Sequence, residues 1–197
     1  MWWWLGIAWA ADPAPLVAKV EARYAGVQTL EARFVQTVRS SLYGEDVQAG
    51  RMVLQRPGQM RWDFTGDGRQ YIADGKTLTA YTPASRQAIQ YPYTPTGADS
   101  LLQSLDRVDE LFRVVAPDPQ PADGGIVLRL TPKGPDQVQE VTLRLGKDLA
   151  LQQVSLQDAA GGVTVLDFTD VRAGHAVPAS TFQFAPPAGT QVIRTGP

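Results

Sequence analysis

The chain has 197 residues, of which 44% are hydrophobic, with a net charge of −2 and no cysteine. That length suits one domain with a sizeable core, and scattered basic residues under a negative balance leave no nucleic-acid footprint. The missing cysteine excludes thiol catalysis, disulfides, thiolate metal sites and lipid attachment through a thioether.

In chain order, the first residues are unlike the rest. Trp2-Trp3-Trp4-Leu5-Gly6-Ile7-Ala8-Trp9-Ala10 is continuously apolar, and Ala8-Trp9-Ala10 has the small-x-small form of an export cleavage site. The run is shorter than the roughly 20 residues of a membrane-spanning helix. Residues 1–11 are therefore read as the end of a secretory leader whose start is missing or misassigned. Cleavage after Ala10 or Ala11 would release a single exported domain over residues 12–197. The other reading is a buried N-terminal segment, which three adjacent tryptophans fit poorly.

Asp12-Pro13 predicts a helix start, with Asp12 as N-cap. Leu16, Val20 and Val27 recur near helical spacing, with Val17 and Tyr24 beside them, and Gly26 supplies a stop. Strands are predicted near 31–39, 46–55, 59–64, 69–74, 77–82 and 86–91. Pro57 breaks the first long pair within Gln55-Arg56-Pro57-Gly58. Met60, Trp62 and Phe64 then point to one side of a strand, Arg61 and Asp63 to the other. Asp74-Gly75 is a hairpin signal, read here as two central positions that favour positive φ.

After Tyr91-Pro92-Tyr93-Thr94-Pro95, the residues Leu101, Leu102, Leu105 and Val108 form a helical stripe that Leu111-Phe112 extends. Asp106, Asp109 and Glu110 fall on its wet face. Pro117-Asp118-Pro119-Gln120-Pro121 reads as a rigid loop within one domain, because strands continue beyond it near 126–132, 138–145, 149–157, 162–170 and 180–185. About eleven strands with two amphipathic helices predict a mainly β protein, a curled antiparallel sheet or barrel with the helices against its concave apolar face. Periodicity does not separate an open barrel from a flattened sandwich.

Catalytic signatures are weak. His175 is the only histidine and lies in a turn, and no serine sits in a Gly-x-Ser-x-Gly elbow. No ligand spacing marks a metal site, and Gly66-Asp67-Gly68 reads as a turn because no helix follows it. No catalytic residue, metal or cofactor is expected. On residue type alone, Arg56 is a surface cation at a strand end, and Met60, Trp62, Phe64, Leu78 and the leucine stripe are ordinary core.

A further observation bears on both. Gly50-Arg-Met-Val-Leu-Gln-Arg-Pro-Gly-Gln-Met-Arg-Trp-Asp-Phe64, followed by Arg69-Gln-Tyr-Ile-Ala-Asp-Gly-Lys-Thr-Leu-Thr-Ala-Tyr-Thr-Pro83, resembles the LolA family of periplasmic lipoprotein carriers. So do Ala32-Arg33-Phe34-Val35-Gln36, Leu128-Arg129-Leu130-Thr131-Pro132-Lys133, Val165 to Val171 and Phe182 to Thr190, in the family's order. Thr79 stands where the family usually has an aromatic.

The resemblance implies an incomplete β-barrel with helices plugging its open side. It implies that Arg56 latches the helical lid through backbone carbonyls. Phe34, Met60, Trp62, Phe64, Leu78, Leu101, Leu102 and Leu105 become candidate walls and lid of an acyl cavity. The implied task is to shield acylated lipoproteins across the periplasm as a monomer. An inner-membrane ABC-type releasing complex would load it and the outer-membrane acceptor LolB would unload it. A lipid-sensing or partner-binding module on the same fold, and a paralogue devoted to another lipid or glycolipid, remain as alternatives.

Overall fold

The computed structural model describes residues 12–40, 44–115, 121–134 and 137–196. The leader reading and most of the Pro117–Pro121 loop fall outside them. Twelve strands form one sheet in the order β12-β6-β5-β4-β3-β2-β1-β11-β10-β9-β8-β7, which does not close on itself. Every neighbouring pair is antiparallel except β12 with β6. The strands are β1 Thr29–Ser40, β2 Gly44–Gln55, β3 Gln59–Phe64, β4 Gln70–Asp74, β5 Thr77–Thr82 and β6 Gln87–Pro92. Then come β7 Phe112–Val115, β8 Ile126–Pro132, β9 Val138–Leu145, β10 Leu151–Asp158, β11 Val163–Ala173 and β12 Gln191–Arg194.

Two of these strands depart from the expectation. Phe112 opens β7, paired to β8 through Val114 and Leu130, rather than extending a helix. The short β12 lies parallel to β6, with Val192 beside Ala88. The strand expected near 180–185 is instead a 3-10 turn at Ala179–Phe182 followed by irregular chain. Prolines at 186 and 187 withhold the N–H groups that a longer ladder would need.

Register settles which face is which, since directly opposed residues share a side. Leu30, Leu54, Met60, Ala73 and Leu78 form one row across five strands. Ala32, Met52, Trp62, Tyr71 and Ala80 form the next. This is the concave face, and it continues through Phe168, Val154, Leu143 and Leu128 beyond β1. A β-bulge between Glu31 and Arg33, with Asp170 at φ 53° on the partner strand, adds curl in the middle of the sheet. The turn after β4 carries its positive φ at Gly75 alone; Asp74 is extended strand and its Oδ1 accepts from the N–H groups of Lys76 and Thr77.

Helix α1 spans Ala14–Tyr24 and buries Val17, Val20 and Tyr24. Pro13 takes the N-cap position, so Asp12 lies one residue earlier than expected and accepts from the Ala14 N–H. Gly26, at φ 77°, lets the chain leave the helix end in the left-handed region. The leucine stripe folds as two helices, α2 Gly97–Gln103 and α3 Val108–Leu111. Tight bonds from Ser104 N–H to Leu101 O and from Arg107 N–H to Ser104 O break it between them. Ser and Asp favour turns over a helix interior because their side chains compete for backbone groups. Leu101, Leu102, Leu105 and Val108 are buried all the same.

The convex face has its own cover. Residues 174–190 cross from β11 to the far edge, where β12 begins. Phe182 is buried over Ile72 and Thr79, and Phe184 meets the Tyr81 ring at 5.3 Å. Thr79 is thus on the convex side, buried and bonded by Gln90, so the family's missing aromatic does not touch the concave lining.

Candidate functional site

Strand alternation sends Met60, Trp62 and Phe64 inward from β3, while Arg61 and Asp63 pair on the outer face at 2.7 Å. Phe34 stands edge-on to Trp62 at 4.8 Å and to Phe64 at 5.2 Å. Opposite Phe34 the residue must be glycine. A Cβ at Gly50 would lie 2.2 Å from the Asp63 carbonyl oxygen and 2.7 Å from the Phe34 ring. The missing side chain therefore gives the ring its seat.

Helices α1, α2 and α3 cover part of this wall, and polar groups tie them down. Arg56 Nη1 forms an ion pair with Asp106 Oδ1 at 2.9 Å and reaches the Tyr24 carbonyl oxygen at 3.5 Å. Its side chain is only 13% exposed. Burial lowers the guanidinium pKa, opposed chiefly by the Asp106 carboxylate; the group stays charged. Arg56 therefore contacts the α2–α3 connection through a carboxylate, and the end of α1 through a backbone carbonyl. Gln103 adds a second tie, donating from Nε2 to the Gln59 carbonyl at 3.0 Å and accepting from the Gly58 N–H at 3.3 Å. The third tie runs from Trp62 Nε1, which donates to Asp99 Oδ1 at 3.1 Å. The Asp99 carboxyl is enclosed, although the residue keeps some surface. Burial pushes it up to about 6, against the lowering influence of Trp62 and the nearby Tyr93 hydroxyl.

Beside the lid, a cavity of about 540 Å³ remains open. That is within the range of small-ligand sites. Met60, Trp62, Phe64 and Leu78 line it, joined by Tyr71, Tyr91, Leu156 and Leu166, with Gln36, Gln48 and Arg69 among the polar groups. Arg69 stacks over Phe64, 5.1 Å from the ring centre. Phe34 stands behind the wall. Leu101, Leu102 and Leu105 lie beneath the lid, fully buried against the sheet rather than facing the open space.

Asp99, Gln103 and Tyr93 were not singled out in the sequence. A signal existed for two of them. Asp99 and Gln103 sit at i−3 and i+1 to Leu102, so polar groups fall on or beside the apolar stripe. The third depends on a loop whose path only folding defines.

On the convex side, His175 is part-buried and its Nε2 lies 2.9 Å from Glu31, which also pairs with Arg51 at 2.7 Å. It is a strap contact rather than an exposed turn residue. Thr29 is engaged too, since Gly174 N–H donates to the Thr29 carbonyl and the Thr29 hydroxyl donates to the His175 carbonyl. Among the described residues no group of three or more His, Asp or Glu could hold a metal ion. Among them also, no helix is long and apolar enough to cross a membrane.

Comparison with known proteins adds to this geometry. Residues 25–185 match the family described as outer membrane lipoprotein carrier protein LolA. The outer-membrane lipoprotein carrier protein of Chromobacterium violaceum is 32% identical over 187 residues, covering 93% of this chain and 90% of that protein. That of Methylobacillus flagellatus is 31% identical, covering 90% and 88%. Among solved structures, an uncharacterized conserved protein from Thermus thermophilus shares the fold with a TM-score of 0.57, at 14% identity, over 93% of this chain and 100% of the other.

Proposed function

The chain belongs to the LolA family of outer-membrane lipoprotein carrier proteins, and from that premise we propose that it shields the acyl chains of lipoproteins and carries them through the periplasm. The observation that carries this reading is the apolar concave face under a lid held by polar ties. Each acyl methylene moved out of water is worth about 0.8 kcal/mol, so lipid-modified protein cannot cross an aqueous space unaided. A carrier must also let go. Here the empty lid closes on leucines and on Arg56, Gln103 and Trp62 contacts. Opening it costs free energy that offsets part of the acyl burial, which keeps release feasible.

On this reading Met60, Trp62, Phe64 and Leu78 contact cargo, Phe34 supports them, and Leu101, Leu102 and Leu105 withdraw with the lid. Arg56 is the latch. Binding and transfer need no covalent step and no cofactor. An inner-membrane ABC-type releasing complex loads the protein, and LolB or an equivalent acceptor takes the cargo. Residues 1–11 act as leader and residues 12–197 as the single working domain. The test is whether the pure protein extracts lipoprotein from membranes into solution and hands it to acceptor membranes. An acylated peptide should bind, and its unacylated form should not. Equal affinity for the two would sink the reading.

A further inference from the structure

The Trp62–Asp99 contact has a use beyond closing the lid. Trp62 sits on β3, held between β2 and β4, with its ring braced by Phe34 at 4.8 Å. Asp99 sits on α2, part of the lid. When the lid moves, Asp99 leaves and Trp62 stays. Its indole N–H is donor-only, and Asp99 Oδ1 is the acceptor it meets in the closed protein. The Tyr93 hydroxyl is enclosed near the same carboxyl and has no aligned hydrogen-bond partner. Two donors therefore lie about one acceptor position, with Met60, Phe64 and Leu78 among the apolar residues of the same cavity and Gln36, Gln48 and Arg69 among its polar ones. Trp62 is only 7% exposed, and a buried donor left unpaired is costly, so the ligand that fills the cavity is favoured if it brings an acceptor. A hydrocarbon chain has none. The carbonyl oxygen at the head of an acyl ester is acceptor-only and matches the site.

Resting on the carrier reading, we infer that the Trp62 indole N–H binds the ester carbonyl of an acyl chain, and that Asp99 Oδ1 occupies this position in the empty protein. Asp99 is thus an internal stand-in for the ligand's acceptor. Trp62 fixes how deep the acyl head is seated, and the protein distinguishes an acyl group from an alkyl group of the same length.

The experiment is calorimetric titration of the whole chain with a diacylglyceryl-cysteine peptide bearing a free amino terminus, against its dialkyl-ether analogue of equal chain length. One hydrogen bond predicts that the ester binds tighter by about twofold to tenfold. In Trp62→Phe the ester and ether affinities should converge while both still bind. In Asp99→Ala both should bind tighter with their ratio kept, because the competitor is gone. Equal affinity of the wild-type protein for ester and ether overturns the inference while leaving the carrier reading intact. A ratio that survives Trp62→Phe also overturns it. Failure of both lipids to bind overturns the inference and the carrier reading together. The wild-type comparison decides the matter even where a variant fails to fold.

Discussion

Arg56 meets Asp106 across 2.9 Å, joining the turn between β2 and β3 to the connection between α2 and α3. The pair is more than a surface contact because the arginine side chain is 13% exposed and the aspartate 33%. It also links the sheet to the α2–α3 connection, so on the proposed carrier mechanism its energy counts only while these helices stay down. The same guanidinium donates to the Tyr24 carbonyl oxygen, and a hydrogen bond to a charged group contributes about 1.5–3 kcal/mol.

Arg56→Leu is therefore expected to favour the loaded state by about tenfold to a hundredfold. The variant should accept lipoprotein and hand it on poorly, so that loaded carrier accumulates. Arg56→Lys should be intermediate, since an ammonium keeps the charge without the planar fork. A double-mutant cycle with Asp106→Leu, read as ligand affinity, checks the partner: the two single effects should not add. Full additivity would show that Arg56 acts without Asp106.

Acid should close the lid. In the closed protein Asp99 titrates near 6, whereas the released carboxyl returns towards 3.8. The closed state then binds more protons between these values, so its advantage is greatest in acid and is lost as pH rises through about 6. Affinity for an acylated peptide should fall about tenfold from pH 7 to pH 5. Asp99→Asn should flatten that slope. An unchanged slope in the variant would assign the titration to another group.

Gly50→Ala should destabilise the protein. The added Cβ would stand 2.2 Å from the backbone oxygen of Asp63, in the middle of a paired strand where neither partner can withdraw. Overpacking of this kind costs about 1–3 kcal/mol. Urea unfolding should show the loss as a lower midpoint at unchanged slope. A midpoint equal to wild type would mean that the strand pair is looser than its register suggests.

Phe182→Ala tests the strap. Its ring is buried on the convex face over Ile72 and Thr79, away from the cavity. Truncating a buried phenylalanine costs about 3–5 kcal/mol. The loss should appear in unfolding experiments, while acyl-peptide affinity of the folded fraction stays near wild type. A matching drop in affinity would tie the strap to the cavity.

Local pattern carried much of this protein. Alternation along 59–64 placed Met60, Trp62 and Phe64 on one side, and the register bears that out. Apolar spacing marked α1 and the leucines of the lid, because a period near 3.6 residues leaves its trace wherever one helix face is buried. The ordered fragments from Ala32 to Thr190 identified the family. What the sequence could not show were relationships that span the chain. Strand β12 has no local signature, since its pairing with β6 brings Val192 beside Ala88. The break between α2 and α3 lay hidden inside an unbroken leucine stripe, and it is this break that turns Asp106 towards Arg56. Asp99 was not singled out in the sequence, and folding sets it against Trp62, 37 positions earlier. Residue type and periodicity determined which side chains are apolar and which faces they share. Only the closed tertiary structure decided which polar groups meet, because such bonds depend on distances between segments that no sequence spacing encodes.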